Sequence, residues 1–334
     1  MFDGKTVLIT GGTGSLGRAL TKKLLNSKVE AVRIFSRNES KQIEMESEIN
    51  DSRLRFFMGD VRDSERLFYA LEDVDIVFHA AALKHVPKIE YNPFESIKTN
   101  VIGSQNVIDN SLKQNVEKVI CVGTDKAVSP LNTYGATKLL MEKLFITANN
   151  YVNPKKHRTK FIAVRYGNVL GSSGSVIPKF IDLIKNDKPL TITDSKMTRF
   201  TITMDEALEF ILNATMTGKG SEIFIPKLKS YEMSVLIEAL GELCGKTSHE
   251  ITGIRPGEKL HETLINQDEM RYTWNINGML MLANPHYELF NEKKILENYE
   301  GIKKEESLIT YSSDIADKIS KDELKQKIQN SNLL

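Results

Sequence analysis

The sequence predicts an α/β fold, in which a doubly wound parallel sheet carries a smaller mixed α/β lobe. Three observations predict this class. Short β-branched runs alternate with helical patterns from residue 5 to residue 165. A glycine-rich turn follows the first of these runs directly. Beyond residue 171 the alternation gives way to short helices and polar loops, which indicates the second lobe.

Length and composition exclude several classes of protein. The 334 residues contain 45 lysines and arginines against 44 aspartates and glutamates, so no overall field favours nucleic acid or an anionic membrane. No apolar run is long enough to span a bilayer, and no secretory leader pattern is visible. Two cysteines, Cys121 and Cys244, are too few for a disulfide framework. We therefore expect a cytoplasmic protein without membrane insertion.

The first predicted strand, residues 5–10, runs into the turn Gly11-Gly-Thr-Gly14-Ser-Leu-Gly17, and a helical pattern over 15–25 follows. Strand, glycine turn and helix in this order are typical of a Rossmann dinucleotide site, where the helix N-terminus meets the pyrophosphate. The spacing Gly-x-x-Gly-x-x-Gly resembles that of the extended short-chain dehydrogenases. The residues predicted to bind the cofactor in this turn are Gly11, Thr13, Gly14, Ser15, Leu16 and Gly17.

The second strand, residues 31–35, ends in Ser36 and Arg37. An acidic side chain at this position would bind the ribose hydroxyl of NAD, whereas its absence beside an arginine suits the 2′-phosphate of NADP. We therefore predict NADP, with Lys41 as further support. The third strand, residues 53–58, leads to Asp60 and Val61, and Asp60 is the candidate acceptor for the adenine amino group.

The fourth strand, residues 75–79, opens into three small residues that let a flat ligand lie against the backbone, Ala80, Ala81 and Ala82. Lys84 and His85 follow in a loop that we place beside the nicotinamide, before a long helix predicted over 94–114. His79 ends a core strand, so we expect it to be packed and hydrogen-bonded. Neither histidine has another His or Cys at metal-ligand spacing, and we predict no metal.

The fifth strand, residues 118–122, leads to Thr124, and a helix is predicted over 133–151. Tyr134 and Lys138 are four residues apart, on one face of that helix. A nearby ammonium lowers the pKa of a phenol, and the same lysine can bond the nicotinamide ribose, while Thr124 completes the hydroxyl site. This pattern predicts hydride transfer to or from a secondary alcohol.

The alternation ends with a strand at 160–165, which suggests three ranges. We predict a cofactor-binding domain over 1–170, to which later strands can return, and a substrate-binding lobe over 171–285. A charged C-terminal segment over 286–334, with a helix at 321–329, packs on the body.

Two more residues of the central stretch, Asp125 and Lys126, extend the resemblance. Nucleotide-sugar 4,6-dehydratases have Thr-Asp-Glu where this chain has Thr-Asp-Lys, and the change resembles the UDP-N-acetylglucosamine 4,6-dehydratases that invert C5. The resemblance covers essentially the whole chain. Its matching blocks are Ala81-Ala-Leu-Lys84-His85-Val-Pro, Glu90-Tyr-Asn-Pro93, Lys98-Thr-Asn100, Thr124-Asp-Lys-Ala127, Tyr134-Gly-Ala-Thr-Lys138, Arg165-Tyr-Gly-Asn168-Val, Gly174-Ser-Val-Ile-Pro178, Met197-Thr-Arg-Phe200 and Arg255-Pro-Gly-Glu-Lys259.

The resemblance implies a three-step cycle on one tightly bound NADP. Tyr134 takes the C4 hydroxyl proton while hydride leaves C4, and the resulting ketone acidifies H5. Lys126 then removes H5 and Asp125 protonates the departing 6-hydroxyl, after which hydride returns to C6 and C5 is protonated on the opposite face. The base must be a neutral amine, so we expect burial, Lys138 and the cofactor charge to lower the pKa of Lys126.

The resemblance also implies UDP-N-acetylglucosamine as the substrate and homo-oligomers, from dimers to hexamers. Guanidinium groups match phosphate oxygens, which makes Arg199 and Arg255 candidates for the diphosphate and uridine. The implied substrate-binding residues are Lys84, His85, Asn168, Val176, Arg199, Arg255 and Glu258.

Three alternatives remain open. A retaining 4,6-dehydratase differs in the face on which C5 is protonated, which spacing cannot reveal. A UDP-sugar 4-epimerase or plain reductase would use Tyr134 and Lys138 but leave Asp125 and Lys126 without a role. A non-catalytic NADP-binding protein would usually have lost the tyrosine or the lysine, and both are present.

Overall fold

The computed structural model describes residues 2–172, 174–245, 248–286, 291–331 and 333–334, and for Tyr151 the backbone alone. It confirms the α/β class with a large parallel central sheet. The strands in chain order are β1 Thr6–Thr10, β2 Ala31–Ser36, β3 Leu54–Met58, β4 Ile76–His79, β5 Lys118–Val122, β6 Lys160–Val164, β7 Asn168–Val169, β8 Leu190–Ile192, β9 Thr198–Ile202, β10 Ile223–Pro226, β11 Ser230–Glu232, β12 His249–Ile251, β13 Thr263–Ile265, β14 Thr273–Ile276, β15 Met279–Leu282, β16 Lys303–Lys304 and β17 Tyr311–Ser312.

The main sheet has the order β3-β2-β1-β4-β5-β6-β10-β15-β14-β16. The seven strands from β3 to β10 are parallel, and β15, β14 and β16 complete the sheet in antiparallel pairs. The order reverses between β1 and β4. In doubly wound sheets a ligand crevice opens at this point, outside the carboxyl ends of the strands.

Helices cover both faces of the sheet and build much of the second lobe. The α-helices are α1 Ser15–Leu25, α2 Glu39–Ile49, α3 Ser64–Ala70, α4 Val86–Tyr91, α5 Pro93–Ser96, α6 Gly103–Lys113, α7 Thr133–Ala148, α8 Val176–Lys185, α9 Met204–Thr217, α10 Met233–Cys244, α11 Gln267–Met270, α12 Glu292–Asn298 and α13 Lys321–Asn330. Across the described ranges, no helix combines the length and the apolar character needed to cross a bilayer.

Two predicted helices are interrupted. The helix predicted over 94–114 is α5 and α6 joined by a π-helical turn, Ile97–Ile102. The helix predicted over 133–151 ends at Ala148, and a 3-10 turn, Asn149–Tyr151, continues the chain. A further 3-10 turn, Asp125–Ala127, carries the two charged residues that follow β5.

Three hydrophobic clusters hold these layers together. The first lies on the face of the sheet covered by α1 and α9 and includes Leu20 and Ile211. The second lies on the opposite face and includes Val107 and Phe145. The third cluster is the core of the second lobe, where α13 packs against α10 and buries Leu324. The C-terminal helix therefore contributes to a core.

Later strands return to the main sheet. β10, β14 and β15 come from the range predicted as the substrate lobe, and β16 comes from the C-terminal range. The remaining short strands pair among themselves, as in the three-stranded sheet β11-β9-β7. The lobe is therefore interleaved with the sheet in sequence. The three predicted ranges stay a prediction about domains, and residues 287–290 of the third range lie outside the described residues.

Candidate active site

A cavity of about 610 Å³ opens at the carboxyl ends of β1, β2, β4 and β5. All residues predicted to bind the cofactor line it, together with Thr124 and Asn168. The predicted cofactor residues found there are Gly11, Thr13, Gly14, Ser15, Leu16, Gly17, Ser36, Arg37, Lys41, Asp60, Val61, Ala80, Ala81, Ala82, Lys84, Tyr134 and Lys138. Sequence reasoning missed several further lining residues, among them Asn38, Thr99, Tyr166 and Met204.

The glycine turn brings backbone close to backbone. Gly11 has a φ of +67°, and a Cβ there would lie 2.9 Å from the main chain of Ala81. A Cβ on Gly17 would lie 2.4 Å from the carbonyl oxygen of Gly12, so α1 can pack this closely on the turn only with glycine. Gly14 is the N-cap of α1, and the first residues of α1 line the cavity with their N–H groups at the helix N-terminus. This cradle fits a dinucleotide pyrophosphate.

The far end of the cavity is polar and basic. Arg37 lies 3.5 Å from Asp60, and Asp60 also accepts a hydrogen bond of 2.7 Å from Arg62. Burial opposes the charged form of Asp60, but the hydrogen bonds from Arg62 outweigh it and lower the pKa of this carboxyl. Gln42 donates to the Ser36 hydroxyl at 3.0 Å. An arginine therefore stands at the predicted 2′-phosphate position, held by a carboxylate.

His79 supports the cavity from behind. Its Nδ1 lies 2.7 Å from Thr10 Oγ1 and its Nε2 lies 2.9 Å from Ser104 Oγ. Burial lowers the pKa of His79 to about 3. The prediction that His79 is packed and hydrogen-bonded is confirmed. Asn100, in the π-helical turn, bonds both the N–H and the carbonyl of Leu83 and so fixes the loop after β4.

Tyr134 and Lys138 face the cavity from α7, as their spacing predicts. Burial lowers the pKa of Lys138 to about 8, and its Nζ donates to the Val122 carbonyl at 2.8 Å. Burial raises the pKa of Tyr134 to about 12, although Lys126 and a hydrogen bond with Thr124 oppose the rise. The expectation that Lys138 lowers the pKa of Tyr134 is therefore wrong in this structure, because burial dominates.

Asp125 and Lys126 form a contact pair beside Tyr134. Lys126 Nζ donates at 3.0 Å to Asp125 Oδ1 and at 3.0 Å to Asn168 Oδ1, and Thr124 Oγ1 donates to the same carboxylate oxygen at 2.8 Å. Asp125 is fully buried, and its other oxygen, Oδ2, has no hydrogen-bond partner among the described residues. The acid and the base predicted from sequence are thus in direct contact.

The charge around Lys126 corrects one expectation. Burial alone would lower the pKa of Lys126, but the carboxylates of Asp125 and Glu262 outweigh burial and raise the pKa above its ordinary value. The predicted lowering by burial and by Lys138 is therefore wrong for the isolated protein. The physical reason is the pair of carboxylates, one of which sequence reasoning did not single out.

Glu262 is that missed residue. Its Oε1 lies 3.5 Å from Lys126 Nζ and 3.7 Å from Arg199 Nε. Arg199 also lies 3.6 Å from Glu258, and its guanidinium donates to the carbonyls of Thr198, Leu260 and Lys259. Glu262 lies three residues beyond the block that contains Glu258 and ends at Lys259, and the sequence does not reveal which of the two carboxylates turns inward.

The other residues predicted to bind the substrate do not all lie at the main cavity. Asn168 lies at the cavity beside Lys126, whereas Arg255 is exposed on the loop before β13 and Val176 begins α8. Lys84 and His85 line a second cavity of about 340 Å³ next to the first, and burial lowers the pKa of Lys84. Within the described ranges, no His, Cys, Asp and Glu side chains cluster as metal ligands. The absence of a metal stays a prediction.

This arrangement can bind a dinucleotide and place a phenol, an ammonium and a carboxylate at one end of it. Such a crevice defines a Rossmann protein of the extended short-chain dehydrogenase type. The sequence profile of the family described as "Polysaccharide biosynthesis protein" matches residues 7–284. The chain belongs to this family.

Relatives and a solved structure agree with this assignment. The chain is 50% identical over 285 residues to a UDP-N-acetylglucosamine 4,6-dehydratase (inverting) of Campylobacter jejuni, covering 85% of this chain and 84% of the relative. It is 40% identical to a UDP-glucose 4-epimerase of Rickettsia felis, covering 99% and 97%. The X-ray structure of Pen from Bacillus thuringiensis superposes with a TM-score of 0.90 at 39% identity, covering 100% and 99%. The resemblance to the inverting dehydratases is confirmed.

Proposed function

We propose that this protein is a UDP-N-acetylglucosamine 4,6-dehydratase that inverts C5 and forms a 4-keto-6-deoxy sugar nucleotide of L-arabino configuration. The observation that carries the proposal is the contact between Asp125 and Lys126, 3.0 Å apart beside Tyr134. A simple alcohol dehydrogenase needs no extra acid and base at this place. Loss of water across C5 and C6 needs both.

One proton shift within the pair would prepare both groups. If the Lys126 ammonium gives its proton to the Asp125 carboxylate, the amine becomes a base and the carboxyl becomes an acid in one step. Lys126 then removes H5, Asp125 protonates the leaving 6-hydroxyl, and the pair returns to its original charges. This sequence accommodates the raised pKa of Lys126, because the amine needs to be neutral only during the exchange.

Tyr134 would act at the neighbouring carbon. It accepts the proton of the C4 hydroxyl while Thr124 holds that hydroxyl, and Lys138, on the same face of α7, would bond the nicotinamide ribose. A nicotinamide dinucleotide bound in the crevice supplies the hydride chemistry, oxidation at C4 and reduction at C6. Because C5 is not acidic until C4 is a ketone, the residues must act in this order.

We infer NADP as the cofactor from Arg37, which follows β2 at the edge of the cavity and is half-exposed, so that it could bind a 2′-phosphate. Lys41, in the first turn of α2, lines the same cavity and is the second proposed contact for this phosphate. The test is binding of NADP and NAD to protein freed of cofactor, in wild type and Arg37→Ala. We expect the variant to lose affinity for NADP by about tenfold or more and to change little toward NAD.

We propose that Arg255 and Glu258 bind the nucleotide of the substrate. Arg199 and Asn168 would lie nearer the sugar. The exposed Arg255 guanidinium can reach a diphosphate without losing a partner among the described residues. Arg199 is buried between two glutamates, which supports a role in shaping the pocket for the sugar. Lys84, His85 and Val176 complete the proposed substrate site.

The function can be tested with purified protein and UDP-N-acetylglucosamine. We expect a product lighter by one water, without net consumption of added NADPH, and carrying deuterium at C5 when the reaction runs in deuterated water. Lys126→Ala should abolish both water loss and exchange at C5. An unchanged substrate mass would contradict the dehydratase proposal, and a product of D-configuration at C5 would indicate the retaining alternative.

A second candidate is a UDP-sugar 4-epimerase, which the 40% identity to the Rickettsia felis relative over almost the whole chain favours. An epimerase would invert C4 of a UDP-sugar without a change of mass. Substituting Lys126 should then leave the rate nearly unchanged. A non-catalytic NADP-binding protein would bind the cofactor and would leave both UDP-N-acetylglucosamine and other UDP-sugars unchanged.

A further inference from the structure

Glu262 is a buried carboxylate that the proposed reaction steps do not use. It lies directly before β13 and is 4% exposed. Its backbone N–H donates to Ser313 Oγ at 2.9 Å, and its carbonyl accepts from the Ser313 N–H at 2.8 Å. These bonds fix the main chain from the side of β17, so the position of the side chain is set from outside the parallel strands.

The side chain of Glu262 ends between two cations. Oε1 is 3.5 Å from Lys126 Nζ and 3.7 Å from Arg199 Nε, whereas Oε2 is buried without a hydrogen-bond partner in the described part of the chain. A buried carboxylate is costly unless a cation compensates it. The charge of Glu262 is therefore coupled to Lys126 and Arg199.

Lys126 is surrounded by charged and titratable groups from several elements. The loop after β5 and helix α7 contribute Asp125 and Tyr134, and the loop after β4 contributes Lys84. The second lobe contributes Arg199 from β9, Tyr231 from β11, and Lys259 and Glu262 from the segment before β13. Two of these groups are carboxylates. Asp125 cannot be a constant counter-charge, because it must carry a proton when it acts as the acid. Whenever Asp125 is protonated, Glu262 is the carboxylate that remains beside the amine.

We propose that Glu262 is a positioning residue for the base of the reaction: its carboxylate is the fixed counter-charge that holds the Lys126 amine beside Asp125 and determines the pH above which that amine can accept a proton. This inference rests on the proposed dehydratase function. It adds a residue from the second lobe to a pair built on the main sheet.

The test compares Glu262→Gln with wild type and with Glu258→Gln, a matched variant that removes a carboxylate from Arg199 but not from Lys126. The measurement is the pH profile of deuterium incorporation at C5. Removal of H5 needs a neutral Lys126. Above the constant contribution of amine that has passed its proton to Asp125, the rate rises with pH as Lys126 loses its proton to solvent, and loss of a nearby negative charge lowers the pKa of a lysine by about one to three units. The limb of the Glu262→Gln profile should move to lower pH by about one unit or more. Glu258→Gln removes a proposed nucleotide contact, so it should lower the rate at every pH but leave the limb in place.

A second measurement does not depend on activity. The rate at which acetic anhydride modifies Lys126, followed by peptide mass spectrometry across a pH series, reports the pKa of this amine directly. Glu262→Gln should shift this curve to lower pH. Glu262→Asp, which keeps the charge on a shorter side chain, should shift it less, and it decides the matter if the glutamine variant does not fold.

The outcomes separate this inference from the function itself. If the wild type loses no water but the labelling curve still shifts, the counter-charge stands and the dehydratase proposal fails. If the wild type loses water and neither curve moves in Glu262→Gln, the role of Glu262 is overturned. A lower rate at every pH with an unmoved limb would likewise assign Glu262 a purely structural role.

Discussion

Two lysines of the site, the buried Lys138 and the partly buried Lys126, have opposite electrostatic environments. Lys138 is in contact with a backbone carbonyl and a thioether sulfur, and burial lowers its pKa to about 8. Lys126 has two carboxylates within 3.5 Å, which raise its pKa. The difference follows from the partners. It means that Lys138 destabilises the folded protein while it is charged.

Lys138→Met tests that consequence. The depressed pKa corresponds to a cost of about 3 kcal/mol at pH 7, and loss of the bond to Val122 offsets about 1 kcal/mol of the gain. We expect the variant to be more stable by about 2 kcal/mol in urea unfolding, and to lose catalysis. Wild-type stability should also rise between pH 8 and pH 10.5, where the unfolded lysine still binds a proton, and this rise should vanish in the variant. A variant less stable than wild type at pH 7 would contradict the argument.

His79 makes a corresponding prediction in acid. Its pKa in the folded protein is about 3, below that of an unfolded histidine, so only the unfolded chain takes up this proton as the pH falls from 6.5 to 3. The stability associated with neutral His79 is therefore complete above pH 6.5 and is lost through that window. We expect His79→Gln to cost about 1–2 kcal/mol at neutral pH through its altered hydrogen bonds. Its stability should fall less steeply than that of wild type in acid, as measured by urea unfolding at several pH values.

The residue scale also marks a limit of sequence reasoning. The positions of Tyr134, Lys138, Asp125 and Lys126 follow from strand ends and helical spacing, and the structure brings all four together. Their pKa values do not follow, because each is decided by burial and by partners distant in sequence. Glu262 is the clearest case, since 136 residues separate it from Lys126.

At the scale of elements, two glycines in the turn between β1 and α1 differ in the space that a side chain would have. A Cβ on Gly17 would meet the carbonyl oxygen of Gly12 at 2.4 Å, whereas a Cβ on Gly14 would meet only the carbonyl oxygen of Gly11, at 3.2 Å. Gly17→Ala should therefore destabilise the protein by about 1–3 kcal/mol, the usual cost of overpacking.

Gly14→Ala serves as the comparison. It should change stability by less than about 1 kcal/mol, because its φ of −77° suits alanine, but it should weaken dinucleotide binding. Urea unfolding and cofactor titration of both variants separate the two effects. Equal loss of stability in both would show that the contact with Gly12 does not decide the packing.

The bounds of regular elements were predictable from sequence because hydrophobic periodicity and the flanking glycines set them. β5 and α1 begin and end at the predicted residues. The π-helical turn between α5 and α6 was not predictable, since the apolar pattern continues through it without a break. Its Asn100 is instead fixed by two bonds to Leu83, on the far side of a loop.

At the scale of the whole molecule, five large apolar side chains are exposed on one group of packed helices. They belong to α4, α5, α7, the π-helical turn and the loop before α7. These residues are Tyr91, Phe94, Ile102, Leu131 and Leu140. Exposed apolar side chains grouped in this way are typical of interaction surfaces. They support the prediction, made from the family resemblance, that the chain forms homo-oligomers.

Leu140→Glu tests the predicted oligomer. Leu140 is 52% exposed on α7, so a charge there should leave the fold intact and disfavour association. We expect light scattering after size-exclusion chromatography to report a smaller particle for this variant. Met216→Glu is the matched control, because Met216 is 51% exposed on α9, on the other face of the sheet. A wild type that is already monomeric would contradict the prediction.

The overall architecture was predictable as far as β6, where strands and helices alternate strictly. Beyond that point, the short strands β10, β14 and β15 carry no local signal that tells whether they join the main sheet or the lobe. Their place is decided by pairing across long stretches of chain, such as Ile223 with Ala163 and Leu282 with Ile223. Such contacts have no periodicity that a sequence can display.

The interleaving of lobe and sheet determines the order in which the strands of the sheet become available during translation. When β6 leaves the ribosome, one of its edges is unpaired. Its neighbour β10 begins 59 residues later, counted from Val164 to Ile223. β14 and β15 arrive after a further 47 residues, counted from Pro226 to Thr273. The nascent chain must therefore hold an open, apolar strand edge while these segments are synthesised, and that edge is the point at which we expect chaperones to engage it.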